Sequence, residues 1–398
     1  MKEQRTVLFI AYDFPPSPQR GGAIRSEKFV KYLGRHGWTA VVVSCSYKGF
    51  ARPELFPNVH RASSLLPFES PYRVSPYGWI PALYQAGRRL LKQGQIDLLY
   101  VTCPPFPPSL GAVLLKRCSG LPLVVDFRDA WSLDPYSAKV SGINKLFHRH
   151  VFRPLERHVL RHADLFLTNT PSTHAEYGKL YPQLAARSKL LPNGFDEEDF
   201  TGITSAPGTG TMKLLYTGRF GVAARNPEFL LEALKTLIDQ GLHLHFTILG
   251  DDRPELFAMR ERLGLQNHLT LSGPVSHACA LQTMAESDVL VLYQQDSDAK
   301  VTPVAGKTYE YLRIGKPILA IAPPGDNLEL IRSYAVAYRE ITTYNMKDAS
   351  SEIRSLYSLW KENKLNGNLK KIQDSYRKNY NRCELTRQLA SYFDGLMQ

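Results

Sequence analysis

Short aliphatic and β-branched runs alternate along this chain with stretches whose apolar positions return every three to four residues. That alternation is the signature of parallel strands joined by helices. In the first half, strands are expected at 7–11, 40–44, 98–102, 123–127, 165–168 and 189–191. Between the first two, Phe29, Tyr32 and Leu33 share one face of a helix over 25–35, which His36-Gly37 should end with a glycine cap. Residues 201–211 are rich in Gly, Ser, Thr and Pro without apolar period and read as a linker.

The pattern then restarts. Strands are expected at 213–218, 244–250, 269–272, 289–293 and 317–322, with helices at 227–240, 254–263 and 277–286 and another beginning near Thr308. The fold class is therefore α/β, with two Rossmann-like, doubly wound units, 1–200 and 201–381, the first completed by a C-terminal helix at about 382–398. Two such units imply a cleft between them. Doubly wound sheets bind ligands beyond the carboxyl ends of their strands, so the loops there should carry the chemistry.

A length of 398 residues is about twice that of one common domain and agrees with two units. With 43% apolar and 22% charged residues and no apolar run long enough to span a bilayer, the chain reads as a soluble globular protein. The start lacks the features of a signal peptide, so export is not expected. Five scattered cysteines without a C-x-x-C pair point to a reduced, cytoplasmic setting. The net charge of +12 changes the picture more, because residues 1–200 carry 26 Lys and Arg against 16 Asp and Glu. An anionic partner is expected on that half: a phosphorylated small molecule, an anionic membrane face or nucleic acid.

Four segments carry candidate chemistry. After the first strand, Asp13-Phe14-Pro15-Pro16 leads to Gly21-Gly22 before a helix, either a ligand-approaching glycine loop or a rigid βα turn. Arg219 follows the strand ending in Gly218, with Arg225 six residues on. Two guanidiniums at a strand end can clamp a diphosphate, the alternative being solvated loop arginines. In Ala305-Gly306-Lys307-Thr308-Tyr309-Glu310, a flexible turn opens a helix whose unpaired N–H groups can hold phosphate oxygens, and Glu310 can accept from ribose hydroxyls. An idle carboxylate between Tyr309 and Tyr311 on an apolar helix would be awkward. Finally, cations at 145, 149, 153, 157 and 161 recur every four residues. Arg149, Arg153 and Arg157 then form a stripe that can rest on anionic lipid headgroups or serve as an ordinary solvated face, and Pro154 should interrupt a long helix there.

These motifs, with the strand end Ile248-Leu249-Gly250-Asp251 and Gly315-Lys316-Pro317, resemble the glycosyltransferases of family 4 over nearly the whole length. The resemblance implies a two-domain GT-B fold and transfer of a sugar from a nucleotide-diphosphate sugar, UDP- or GDP-linked, to a hydroxyl acceptor with retention of configuration. It assigns the acceptor to the N-terminal domain and the nucleotide to the C-terminal one. Arg219 and Arg225, where the family more often has Lys at the second position, fall on the basic pair of the donor diphosphate, and Glu310 on the ribose-binding glutamate. Arg128 stands where the family commonly has His, before Asp129, and these two are the remaining catalytic candidates. Gly21, Gly22, Gly218, Gly250, Ala305, Gly306, Lys307 and Thr308 complete the donor side. The family's earlier glutamate falls on Thr302, which leaves the donor-sugar contact to Asp296 or Asp298 or unfilled.

Asp296-Ser297-Asp298 is D-x-D in form but reads as an acidic loop, since cations and a helix terminus can neutralise the diphosphate. Neither a metal nor a resident cofactor is expected. The basic half and the apolar, aromatic stretch 65–79 favour a glycan or lipid-linked acceptor in cell-surface polysaccharide or lipid-linked glycan synthesis, with peripheral contact at the inner membrane face. Two other functions are distinguishable. A sugar-nucleotide epimerase of the same architecture would need an acid/base pair from Asp129, His174 and Glu310. A basic nucleic-acid-binding protein would need a motif that the sequence does not contain, so no nucleic-acid partner is expected.

Overall fold

A computed structural model describes residues 4–17, 20–47, 58–64, 74–133, 148–205, 210–220, 226–295, 301–365 and 369–398. The chain forms two compact units: Met1–Asn193 with Ala299–Val301 and Arg382–Gln398, and Gly194–Asp298 with Thr302–Asn381. Among the described residues no helix is long and apolar enough to cross a membrane.

The first unit is built on seven parallel strands: β1 (Arg5–Ala11), β2 (Trp38–Cys45), β3 (Val59–Ala62), β4 (Leu98–Cys103), β5 (Leu123–Phe127), β6 (Leu165–Thr168) and β7 (Ser188–Leu190). Their order is β3-β2-β1-β4-β5-β6-β7, so the winding reverses between β1 and β4. The central strands are buried throughout, as expected of parallel strands covered by helices on both faces. The helices are α1 (Arg20–Leu33), α2 (Ile80–Gln93), α3 (Pro108–Ser119), α4 (Arg153–His162) and α5 (Pro171–Leu180).

The first helix starts earlier than its apolar spacing indicates, at Arg20, which places Gly21 and Gly22 inside its first turn rather than in a loop before it. Its chain ends as expected, with Gly37 left-handed at φ 82°. The helical chain enters α4 from a π-helical stretch at His148–Phe152, and Pro154 sits at this change of helix type, in the first turn of α4, so the regular helix is interrupted there. The lipid-facing stretch anticipated at 65–79 is described only from Val74 onward, and of the basic stripe Lys145 lies outside the described residues. Within this unit a C-terminal helix, here α13 (Arg382–Gly395), packs on one sheet face through Leu385, Leu389 and Phe393. Phe393 is fully buried with its ring edge-on to Trp38, which is worth about 1.5–3 kcal/mol in burial alone.

The second unit has six parallel strands: β8 (Met212–Thr217), β9 (Leu244–Leu249), β10 (Leu269–Ser272), β11 (Val289–Tyr293), β12 (Ile318–Ile321) and β13 (Tyr338–Ile341). They are ordered β10-β9-β8-β11-β12-β13, so this sheet reverses between β8 and β11. Its helices are α6 (Glu228–Asp239), α7 (Pro254–Arg262), α8 (His277–Glu286), α9 (Gly306–Ile314), α10 (Asp326–Tyr334), α11 (Met346–Lys361) and α12 (Leu369–Tyr380). In α6 the apolar positions 230, 231, 234 and 237 are all buried, so the amphipathic period sets which face meets the sheet.

Candidate functional site

In the second unit, the carboxyl end of β8 lies at the reversal of strand order, where doubly wound sheets hold ligands. Two glycines shape it. Gly218 has φ 122° and Gly250 φ 101°, conformations that side chains resist, and the Gly218 N–H donates to Leu249 O at 2.7 Å. A Cβ on Gly250 would lie 3.5 Å from Gly218 N, so the two strand ends approach each other backbone to backbone. Gly218 also makes room for a cation, since a Cβ there would lie 2.9 Å from Lys307 Nζ. Lys307 is held twice, donating to the Thr217 carbonyl and lying 3.9 Å from the centre of the Tyr216 ring. Arg219, next after Gly218 in the chain, has an exposed side chain, while Arg225 lies outside the described residues.

Helix α9 begins at Gly306 with no side-chain cap from Ala305, so its first turn offers backbone N–H groups and the positive end of its dipole. The next two polar side chains divide their roles. Thr308 turns inward, its buried hydroxyl donating to Asn327 Oδ1 at 2.8 Å, and Asn327 in turn donates to Gln294 at 2.8 Å. Glu310 stays half-buried, with Oε1 2.8 Å from His277 Nε2. The other ring nitrogen of His277 is 3.9 Å from Asp199. Sequence reading did not single out His277: it opens α8 behind the Ser276 cap and meets Glu310 across 33 residues through helix packing alone.

Tyr311 fixes the register of this helix on the sheet. Its buried hydroxyl lies 3.1 Å from Thr217 N and 3.0 Å from Thr217 Oγ1, and burial pushes its ionisation far above the usual range. Asp251, one residue after Gly250, accepts from Phe220 N at 2.7 Å and from both Arg253 nitrogens. Burial works against its charge, but these bonds outweigh it and hold the carboxyl below its usual value. Thr302 does not face a ligand with its hydroxyl; it accepts from Asp326 N at 3.2 Å, at the start of α10. Asp296 and Asp298 lie outside the described residues. Among the described residues no group of three or more His, Cys, Asp or Glu side chains is placed to hold a metal ion.

The first unit carries its own polar cluster at the β1 and β4 ends. Asp13 is buried and accepts from Tyr47 Oη at 2.7 Å and Ser17 Oγ at 3.2 Å. Burial raises its carboxyl above the usual value, although these two hydroxyls and the positive charge of Arg128 pull the other way. Arg128 itself donates to the carbonyls of Cys103 and Pro104, so its guanidinium is tied to the β4 end. Asp129 is exposed beside it. Arg25 is deeply buried, bonding Asp126 at 3.0 Å and also the carbonyls of Leu191 and Pro192, which joins α1 to the chain after β7. The two cations on this unit's strand-end loop and first helix thus serve the backbone as well as any ligand. His174 has its Nδ1 3.0 Å from Thr168 Oγ1.

The segment after Asp129 is fixed by a carboxylate that sequence reading also missed. Glu156 on α4 is fully buried, accepting from Ser132 N and Oγ, each at 2.7 Å, from Tyr177 Oη at 2.7 Å and from Tyr181 Oη at 2.9 Å. Four donors satisfy this carboxylate, and among the described residues no cation pairs with it. The same helix exposes Arg153 and Arg157 on its other side, while the Arg149 side chain is not among those described.

Residues 20–194 match the family model described as a glycosyl transferase 4-like domain, and residues 211–356 match that of glycosyl transferases group 1. No curated protein matches the sequence significantly. Among solved structures, the chain is similar to sucrose-phosphate synthase from Thermosynechococcus elongatus, with 14% identity over 99% of each chain and a TM-score of 0.74. It is similar to HepE of Anabaena, in complex with UDP and glucose, with 16% identity over 98% of this chain and 99% of that one and a TM-score of 0.66. It is also similar to UDP-GlcNAc 2-epimerase from Neisseria meningitidis bound to UDP-GlcNAc, with 12% identity over 98% and 100% and a TM-score of 0.62. At these identities the likeness carries the fold, which is common to transferases and epimerases.

Proposed function

This chain belongs to the glycosyltransferases of the family-4 type with the GT-B fold, and from that premise we propose that it moves a sugar from a nucleotide-diphosphate donor to a hydroxyl acceptor with retention. The observation that supports the donor site best is the seating of Lys307 against Gly218, at the uncapped start of α9. An ammonium, the exposed Arg219 and a helix N-terminus are a fit for a diphosphate, and Arg225 follows in sequence. Glu310, one turn into the helix, is positioned to accept from the ribose. Backbone N–H groups of Gly306 and Lys307 take phosphate oxygens in this reading, and Gly218 and Gly250 let the sugar-diphosphate approach the main chain.

Chemically, the protein's task is positioning and stabilising the charge that develops on the departing diphosphate. The cations and the helix terminus supply that charge without a metal. In the front-face route that the family resemblance suggests, the leaving phosphate helps to deprotonate the acceptor. The first unit presents the acceptor, with Asp129 and Arg128 at its β5 end. A glycan or lipid-linked acceptor suits the excess of positive charge there, as does work in the cytoplasm at the inner membrane face, through Arg149, Arg153 and Arg157.

Replacing Arg219 and Arg225 together by Ala is expected to abolish both donor hydrolysis and transfer in a folded protein. Turnover near that of the wild type would overturn the donor assignment. The epimerase reading rests on neighbours of that activity and on His174, which is already engaged by Thr168 and by Ser188 at 3.4 Å. Incubation with UDP-GlcNAc and other nucleotide sugars, without acceptor, separates the two: an epimerised donor supports epimerase, and an unchanged sugar supports transferase.

A further inference from the structure

Along α4, Arg153, Arg157 and Arg161 are exposed one turn apart, and no ion pair involves them among the described residues. The one acid of this helix, Glu156, is turned inward and consumed by Ser132, Tyr177 and Tyr181. Neighbouring acids are also spoken for: Asp164 pairs with Lys116, and Glu176 with Lys179. Like charges spaced four residues apart on a helix repel, so this face carries an uncompensated cost that an anion would relieve.

The arginines do not stand on a convex surface. They line a groove of about 630 Å³ whose opposite wall is Leu180, Tyr181 and Gln183, at and after the end of α5. Tyr181 is held there because its hydroxyl is bonded to Glu156 beneath, and its ring lies parallel to that of Tyr177. His158 lines the same groove, and burial together with the charges of His162, Arg117 and Arg161 lowers its proton affinity below that of a free imidazole. The buried carboxylate thus builds the floor, one wall carries the three arginines, and among the described residues no acid lines the groove.

We propose that this groove is a binding site for a phosphate-bearing ligand, gripped by Arg153, Arg157 and Arg161. The guanidinium fork matches phosphoryl oxygens, and three of them spread over eight helical steps cover about 12 Å, room for more than one phosphoryl group. The site deepens the anionic-acceptor reading above and rests on it only for the ligand's source, which is either a lipid headgroup or a soluble phosphorylated molecule.

The test uses the full chain and two probes, inorganic pyrophosphate by titration calorimetry and flotation with vesicles of phosphatidylcholine and phosphatidylglycerol. Pyrophosphate also suits the proposed donor site, so titrations are made in Arg219→Ala/Lys307→Ala protein, where that site is disabled. Pyrophosphate binding is expected to survive there and to weaken about tenfold or more for each arginine lost when Arg157→Gln and Arg161→Gln are added. Unchanged thermal unfolding of the Arg157→Gln/Arg161→Gln protein confirms that these exposed changes leave the fold intact. Vesicle binding that pyrophosphate displaces and the two substitutions abolish identifies a lipid headgroup, whereas pyrophosphate binding without flotation identifies a soluble ligand. Pyrophosphate binding that disappears with Arg219→Ala/Lys307→Ala alone, or that ignores Arg157 and Arg161, overturns the groove while leaving the donor reading standing. So does flotation that ignores these two arginines.

Discussion

Gly218→Ala separates the structural work of this position from its work on the ligand. At φ 122° an alanine is strained by about 1–3 kcal/mol whatever surrounds it. Its Cβ would also meet Lys307 Nζ at 2.9 Å, closer than such contacts tolerate, so the end of this flexible side chain must shift from its place on the Thr217 carbonyl and the Tyr216 ring. If Lys307 gives the diphosphate one charge-assisted hydrogen bond, worth roughly 1.5–3 kcal/mol, displacing it weakens nucleotide binding by about tenfold to over a hundredfold. A matched control exists in the same unit, because Gly210 has φ 77° and open space where its Cβ would go. Gly210→Ala should therefore bear backbone strain alone. The assay is thermal unfolding together with calorimetric titration of UDP and GDP on both variants. Comparable losses of stability with nucleotide affinity lost only in Gly218→Ala support the reading. Equal, unchanged affinity in both variants would show that Lys307 does not touch the nucleotide.

Glu310→Gln keeps the shape of the side chain and removes its charge, so nucleotide affinity should fall by about tenfold to a hundredfold; an unchanged dissociation constant rejects the ribose role. His277→Ala should weaken binding of UDP or GDP but not of their 2′,3′-dideoxy analogues, since it acts only by orienting Glu310; equal effects on both sets refute that role. The raised carboxyl of Asp13 means that the native state holds its proton longer than the unfolded chain, so its contribution to stability declines as pH rises from about 3.8 toward the higher native value. Urea unfolding across this acid range should show a shallower decline in Asp13→Asn, and identical pH profiles would contradict the assignment. Asp126→Asn leaves Arg25 buried without its counter-charge and should cost roughly 3–5 kcal/mol in urea unfolding; a stability equal to that of the wild type would refute the coupling.

The strands were legible because parallel strands are buried on both faces, and their aliphatic runs are bounded by glycine and proline. β10 and β11 carry the bounds expected from the sequence alone. The edge strand β13 was not legible: Tyr338-Arg339-Glu340-Ile341 contains an ion-pairing middle, and only pairing with β12 makes it a strand. Helix α2 was concealed differently. Its buried positions Ala82, Leu83, Gly87 and Leu90 do have helical spacing, but they follow the apolar, aromatic stretch 65–79, which points to an acceptor rather than to a helix. In the candidate site, motifs local in sequence could be read, among them Gly218-Arg219 and the run from Ala305 to Glu310. Partners that meet through packing could not, because neither the 33 residues from His277 to Glu310 nor the 24 and 25 that separate Glu156 from Ser132 and Tyr181 have a periodic signature. An acid within a basic stripe looks like charge balancing until its environment shows that the sheet side has taken it.

Thr302 shows how such packing can change a motif rather than merely hide it. The family resemblance places an acid at this position, toward the donor sugar, and a carboxylate could reach outward only on a longer side chain. Here the short hydroxyl instead accepts from Asp326 N, serving the otherwise uncapped start of α10, where Gly325 offers no side chain. The two residues interlock: Gly325 has φ 151°, and a Cβ on it would lie 2.1 Å from Thr302 Oγ1. A residue with a Cβ at 325 would collide with the cap, while a glutamate at 302 would have to abandon it, leaving a helix N–H without that partner. In this unit the Thr302 side chain thus serves as a helix cap. If the donor sugar lies here, as proposed, a hydroxyl already engaged by Asp326 N leaves its recognition to other groups of the site.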